Sequence, residues 1–93
     1  MNIFDYADTL NLELSIVYHP NQNGRFSVSF DGVEFKDKIG DGMLSGIYGN
    51  ACSSELAIKD FINQINGKYI VLDRKNNGTP LRLKIPKLQY LPL

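Results

Sequence analysis

Ninety-three residues leave room for one domain with a thin core, and residues 1–93 are read as a single α+β unit. Hydrophobic residues make up 43% of the chain, with five Phe and five Tyr, which excludes a disordered polymer. Ten basic and ten acidic residues cancel, which disfavours a dedicated nucleic-acid binder, because phosphate contacts demand a surplus of cations.

A lone cysteine, Cys52, excludes an internal disulfide and with it a secreted disulfide scaffold. No stretch approaches the roughly 20 apolar residues of a membrane span. The opening residues Met1 to Tyr6 lack the basic and long apolar segments of a secretory leader. A cytoplasmic protein without membrane contact is the expectation.

Asn2 to Leu10 carries Ile3, Phe4, Ala7 and Leu10 at helical spacing, with Asn2 placed to cap a short helix. Leu12, Leu14, Ile16 and Tyr18 then alternate with Glu13, Ser15 and Val17, as a strand with one buried face would. His19 to Gly24 is a run of turn formers, and Asn23-Gly24 is the strongest hairpin signal in the chain. Arg25 to Phe30 reads as the returning strand, with Phe26, Val28 and Phe30 inward. Asp31-Gly32 bulges or turns the chain before Val33 and Phe35. Lys36 to Gly42 reads as a loop and Met43 to Tyr48 as a third strand.

Ser53 or Ser54 opens an amphipathic helix. Its Ile58, Phe61, Ile62 and Ile65 fall on one face, Glu55 favours the helix dipole, and Gly67 supplies the stop. Tyr69 to Leu72 reads as a covered strand, Asp73 to Pro80 as a polar loop reversing at Asn77-Gly78, and Leu81, Leu83 and Ile85 as a final strand. Pro86 ends its pairing, and the apolar tail from Lys87 to Leu93 packs. The expected fold is α+β: a short helix, a three-stranded antiparallel meander, one amphipathic helix on the sheet, then two further strands.

Groups able to do chemistry are few. His19 is the only histidine, and no motif supplies it with a nucleophile, so a turn role is favoured over catalysis or metal ligation. Cys52 precedes a helix N-terminus, where a thiol is activated, but free cysteines are most often small buried hydrophobes. Asp31, Glu34, Asp37 and Asp41 match no calcium loop and read as a solvated hairpin tip. Gly40, Gly42, Gly46 and Gly49 match no phosphate-binding pattern.

Arg74, Lys75, Arg82, Lys84 and Lys87 concentrate near the end, where Asp73 is the one acid after Asp60. Arg82 and Lys84 share a strand face. Edge protection is the favoured reading of that cluster, and an acidic partner or nucleic acid is the alternative.

Tyr18-His-Pro-Asn-Gln-Asn-Gly-Arg-Phe-Ser-Val-Ser-Phe30, followed after a third strand by Ser53-Ser-Glu-Leu-Ala-Ile58, resembles the HicB-type antitoxin domain. The resemblance covers residues 12 to 72. It implies a truncated ribonuclease-H-like β-β-β-α-β core that lacks catalytic carboxylates and acts by binding. HicB antitoxins usually continue into a DNA-binding segment, whereas Leu81 to Leu93 reads as a strand and tail, so autoregulatory DNA binding is not implied. Gly67-Lys-Tyr-Ile-Val-Leu-Asp73 with Leu81-Arg-Leu-Lys-Ile-Pro86 is also similar to small phage and prophage proteins.

The function expected is therefore that of a small non-enzymatic phage or mobile-element accessory protein that binds a protein partner, as an inhibitor or antitoxin-like factor. The alternative is a nucleic-acid-binding accessory protein that uses the basic C-terminal strand. Tyr18, Arg25, Tyr48, Arg82 and Lys84 are the expected contact residues. A homodimer through strand edges is a further expectation. No catalytic residue, metal or cofactor is read from the chain.

Overall fold

At Asp31-Gly32 the polypeptide changes sheets. Gly32 adopts a φ of 73°, a left-handed conformation that few other residues reach without strain, and the strand that follows no longer pairs with the one before. The computed structural model describes residues 1–37, 45–76 and 79–90, without the side chains of 73–76 and 79–81. It contains helix α1 (Ile3–Leu10), strands β1 (Leu14–His19), β2 (Arg25–Phe30), β3 (Val33–Lys36) and β4 (Gly49–Ala51), helix α2 (Ser54–Ile65), and strands β5 (Tyr69–Asn76) and β6 (Thr79–Lys84). Sheet one has the antiparallel order β1-β2-β4, and sheet two the antiparallel order β3-β5-β6. The α+β class is the one expected, and the division into two sheets is new.

Local chemistry accounts for the elements that the sequence marks clearly. The Asn2 side chain accepts from the Phe4 amide at 2.7 Å and caps α1, while Asn11, at a φ of 55°, closes its C-terminal end. The β1–β2 connection is a 3-10 turn at Pro20–Gln22, followed by Asn23 and Gly24 at positive φ. Ser53 caps α2 through its hydroxyl, which accepts from the Leu56 amide, and Gly67, at a φ of 83°, lies just beyond the Asn66 cap.

Other boundaries move. The third strand of sheet one is Gly49–Ala51 rather than Met43 to Tyr48. Ser45 makes one antiparallel bridge to Phe35 instead, and Met43 and Leu44 lie outside the described residues. The first strand starts at Leu14. Asp73 to Pro80 is mostly strand backbone, because β5 runs to Asn76 and β6 begins at Thr79 with a register shift between Leu72 and Lys75. The reversal at Asn77-Gly78 lies outside the described residues, as do Lys38 to Asp41, Gly42 and Leu91 to Leu93.

One apolar cluster joins all of this. Phe61 of α2 is fully buried, with its ring 5.2 Å from Phe30 at the end of β2 and 6.1 Å from Phe35 in β3, both in edge-to-face geometry. Ile58, Ile62 and Ile65 complete the buried face of α2, as the spacing predicts. In sheet two, Phe35, Ile70 and Leu83 share one cross-strand row and face this core with Leu72.

Gly49 lets α2 come this close. A Cβ there would lie 2.2 Å from the Ala57 carbonyl oxygen and 2.6 Å from Phe61. The tail packs as expected up to Tyr90: Leu88 is buried, its amide donates to Asn66 Oδ1 at 3.0 Å, and the Asn66 amide nitrogen donates back to its carbonyl at 3.4 Å.

Two outcomes follow from this packing. Gly49→Ala is expected to destabilise the fold by about 3 kcal/mol, the upper end of overpacking penalties, as read by urea denaturation. Tyr6 is 5% exposed, its hydroxyl has no hydrogen-bond partner among the described residues, and burial pushes its pKa above the usual tyrosine value. Above about pH 10 the unfolded chain therefore releases that proton before the folded one does, and stability falls as pH rises. Tyr6→Phe should lack that part of the fall and gain about 1 kcal/mol at neutral pH, measured by denaturation at both pH values.

Candidate protein-binding surface

β1 lies at the edge of sheet one, and the direction of its backbone groups can be worked out. The Asp31 amide donates to the Glu13 carbonyl at 3.0 Å, continuing the register in which Leu14 faces Phe30 and His19 faces Arg25. Odd positions of β1 therefore turn their amides and carbonyls toward β2. Leu14, Ile16 and Tyr18 turn theirs outward, where among the described residues they find no hydrogen-bond partner.

The side chains of this edge are also open. Ile16, Val17 and Tyr18 are 45%, 46% and 55% exposed, on both faces of the strand. The expected buried face of Leu12, Leu14, Ile16 and Tyr18 is thus covered only at its start. The reason is positional, since α2 packs over β2 and β4 and β1 projects beyond it. Tyr18 is steadied by Phe26 across the strand pair, ring centroids 4.9 Å apart.

The other edge is treated differently. On β4, the outward amide of Asn50 is taken by Asp60 Oδ2 of α2 at 2.9 Å. Gln64 then bridges Asp60, at 3.0 Å, and the Tyr48 carbonyl, at 2.8 Å. The polar face of sheet one continues this chain, with Ser27 Oγ donating to Asn50 Oδ1 at 2.9 Å and lying 2.8 Å from His19 Nε2. Because the single Ser27 proton goes to Asn50, His19 is the donor in that contact. General-base activation of a serine requires the opposite arrangement. Nothing in the sequence marks Ser27, Asn50, Asp60 and Gln64, since their meeting depends on the position of β4.

The five expected contact residues do not form one surface. Tyr18 and Arg25 share the hairpin end of sheet one but lie on opposite faces, because Tyr18 pairs with Phe26 and Arg25 with His19. Tyr48, 59% exposed, precedes β4 at the far side of that sheet. Arg82 and Lys84 are exposed on the outer face of sheet two, in register with Val71 and Tyr69. The side chains of Arg74 and Lys75 lie outside the described residues.

The remaining candidates are also placed. Cys52 is exposed rather than buried, because it sits in the turn between β4 and the Ser53 cap. Asp31, Glu34 and Asp37 are exposed, Asp37 pairs with Lys68, and Asp41 lies outside the described residues. Among the described residues no three His, Cys, Asp or Glu side chains gather as a metal site would require. An open groove of about 470 Å³ runs between α2 and the tail, lined by Lys59, Ile62, Asn66, Leu88 and Tyr90. The Lys59 ammonium lies 3.4 Å from Glu55 and 5.9 Å from the centre of the Tyr90 ring. Among the described residues no helix is long and apolar enough to cross a membrane.

No protein-family model, curated protein or solved structure matches this chain.

Removing the Asp60 carboxylate should expose the second edge. Asp60→Ala is expected to cost about 1 kcal/mol of stability and to speed amide exchange at Asn50, as measured by denaturation and hydrogen-exchange NMR.

Proposed function

We propose that the protein works by binding another polypeptide, not by catalysis, and that its contact element is the β1 edge of sheet one. The observation that carries this reading is the outward backbone of Leu14, Ile16 and Tyr18 combined with the exposure of Ile16, Val17 and Tyr18. An added strand gains main-chain hydrogen bonds from such an edge and packs side chains on both faces. The resemblance of residues 12 to 72 to the HicB-type antitoxin domain supports an inhibitor or antitoxin-like role, in a phage or mobile-element setting and in the cytoplasm.

A second reading rests on the outer face of sheet two, where exposed Arg82 and Lys84 flank the half-buried Val71 and Tyr69. A nucleic-acid backbone would suit that row, although Glu34 lies across from Arg82 on the same face. The balanced charge of the chain favours the first reading.

Affinity capture from a bacterial lysate that also contains the untagged chain, with and without nuclease, separates the two. The expected result is one stoichiometric, nuclease-resistant polypeptide, a second copy of this chain included, retained by the wild type and lost with Ile16→Lys, because a lysine on an edge strand opposes pairing. Recovery of only nuclease-sensitive material would overturn the β1 reading and move attention to Arg82 and Lys84.

A further inference from the structure

We infer that the polypeptide paired to β1 is a second copy of this chain, antiparallel across a two-fold axis through Ile16. This rests on the reading of β1 as the contact edge and names its occupant.

The three outward residues are spaced symmetrically about Ile16, so an antiparallel copy places Ile16 opposite Ile16, with Leu14 opposite Tyr18 twice over. All three residues then exchange both backbone hydrogen bonds with their opposites. Moving the dyad to Val17 sets Leu14 against Pro20, which has no amide to give. Moving it to Ser15 sets Tyr18 against Leu12, whose amide already donates to the Ala7 carbonyl at 2.8 Å. Only the Ile16 register uses the whole edge.

Side chains agree with that register on both faces. On the face shared with Phe26 and Val28, exposed Ile16 meets its own counterpart and Leu14 meets Tyr18. On the polar face, Glu13 of one copy falls opposite His19 of the other, at both ends of the pair.

Nothing in the strand opposes the contact. Leu14 to Tyr18 contains no lysine, proline or bulge, the usual devices that protect an edge, whereas the β4 edge is capped by Asp60 and β6 carries Arg82, Lys84 and Pro80. A formal net charge of zero adds no long-range repulsion between copies. The product is a continuous six-stranded sheet in the order β4-β2-β1-β1-β2-β4.

Sedimentation velocity over a concentration series reads the association, and a cysteine pair reads the register. Wild type is expected to pass from monomer to dimer, and Ile16→Lys to raise the dissociation constant at least about tenfold. In the Ile16 register Ser15 of one copy opposes Val17 of the other as a non-hydrogen-bonded pair, close enough for a disulfide. Ser15→Cys with Val17→Cys, on a Cys52→Ser background, should therefore give covalent dimer in oxidised glutathione, and either cysteine alone should give little.

A wild type that stays monomeric throughout would overturn the proposal, as would a dimer that forms equally well with Ile16→Lys. Failure of the cysteine pair to cross-link in a dimer that Ile16→Lys disrupts would overturn the register. A monomeric wild type that still captures a different protein in an Ile16→Lys-sensitive way would overturn the second copy as occupant and leave β1 standing as the contact edge.

Discussion

The contact between Gly49 and α2 is the constraint on which the remaining architecture depends. Without a Cβ at that position, the Ala57–Phe61 turn of the helix lies directly on the backbone of β4. That depth lets the Phe61 ring reach Phe30 in one sheet and Phe35 in the other. The two sheets share no strand, so their relative placement rests on the shared core around this aromatic bridge, on the short Asp31-Gly32 link and on the Phe35–Ser45 backbone bridge. A chain of this size has few alternatives, since it cannot build a separate core for each sheet.

From that arrangement the difference between the two edges of sheet one follows. α2 lies over β2 and β4, and so it brings Asp60 and Gln64 to the β4 edge, where they occupy the outward amide of Asn50. The same placement leaves β1 beyond the helix, with half-exposed apolar side chains and open backbone. An edge that is satisfied from within and an edge that is not are products of one helix position. The openness of β1 therefore has a cause in the packing of α2.

Elements set by local chemistry were legible in the sequence. Asn2, Asn23-Gly24, Ser53 and Gly67 act on their own neighbours, and the structure places each in the role its residue type predicts. The stripe of α2 was equally readable, because helical periodicity needs no knowledge of the partner. What was not legible depends on distant pairing. Gly49–Ala51 has no alternation to announce a strand, and exists as one because β2 lies beside it. The Asp31-Gly32 link reads alike whether the chain bulges within a sheet or leaves it. The exposure of Ile16 and Tyr18 contradicts a clean alternating pattern, because alternation reports which side chains share a face and not whether another layer covers that face. The Asp60–Asn50 contact could not be anticipated while the third strand was placed elsewhere.

The tail also bears on the order in which the molecule can be completed. The Ile3 amide donates to the Gln89 carbonyl and the Gln89 amide to the Met1 carbonyl, both at 2.9 Å, while Asn66 holds Leu88 from the other side. The first turn of α1 thus finds its backbone partners in residues that leave the ribosome some eighty-six positions later. During synthesis α1 has no docking site along this seam until the chain has been made through Gln89. Its closure is a late event, and the hairpin and α2, whose contacts are local, are free to assemble first.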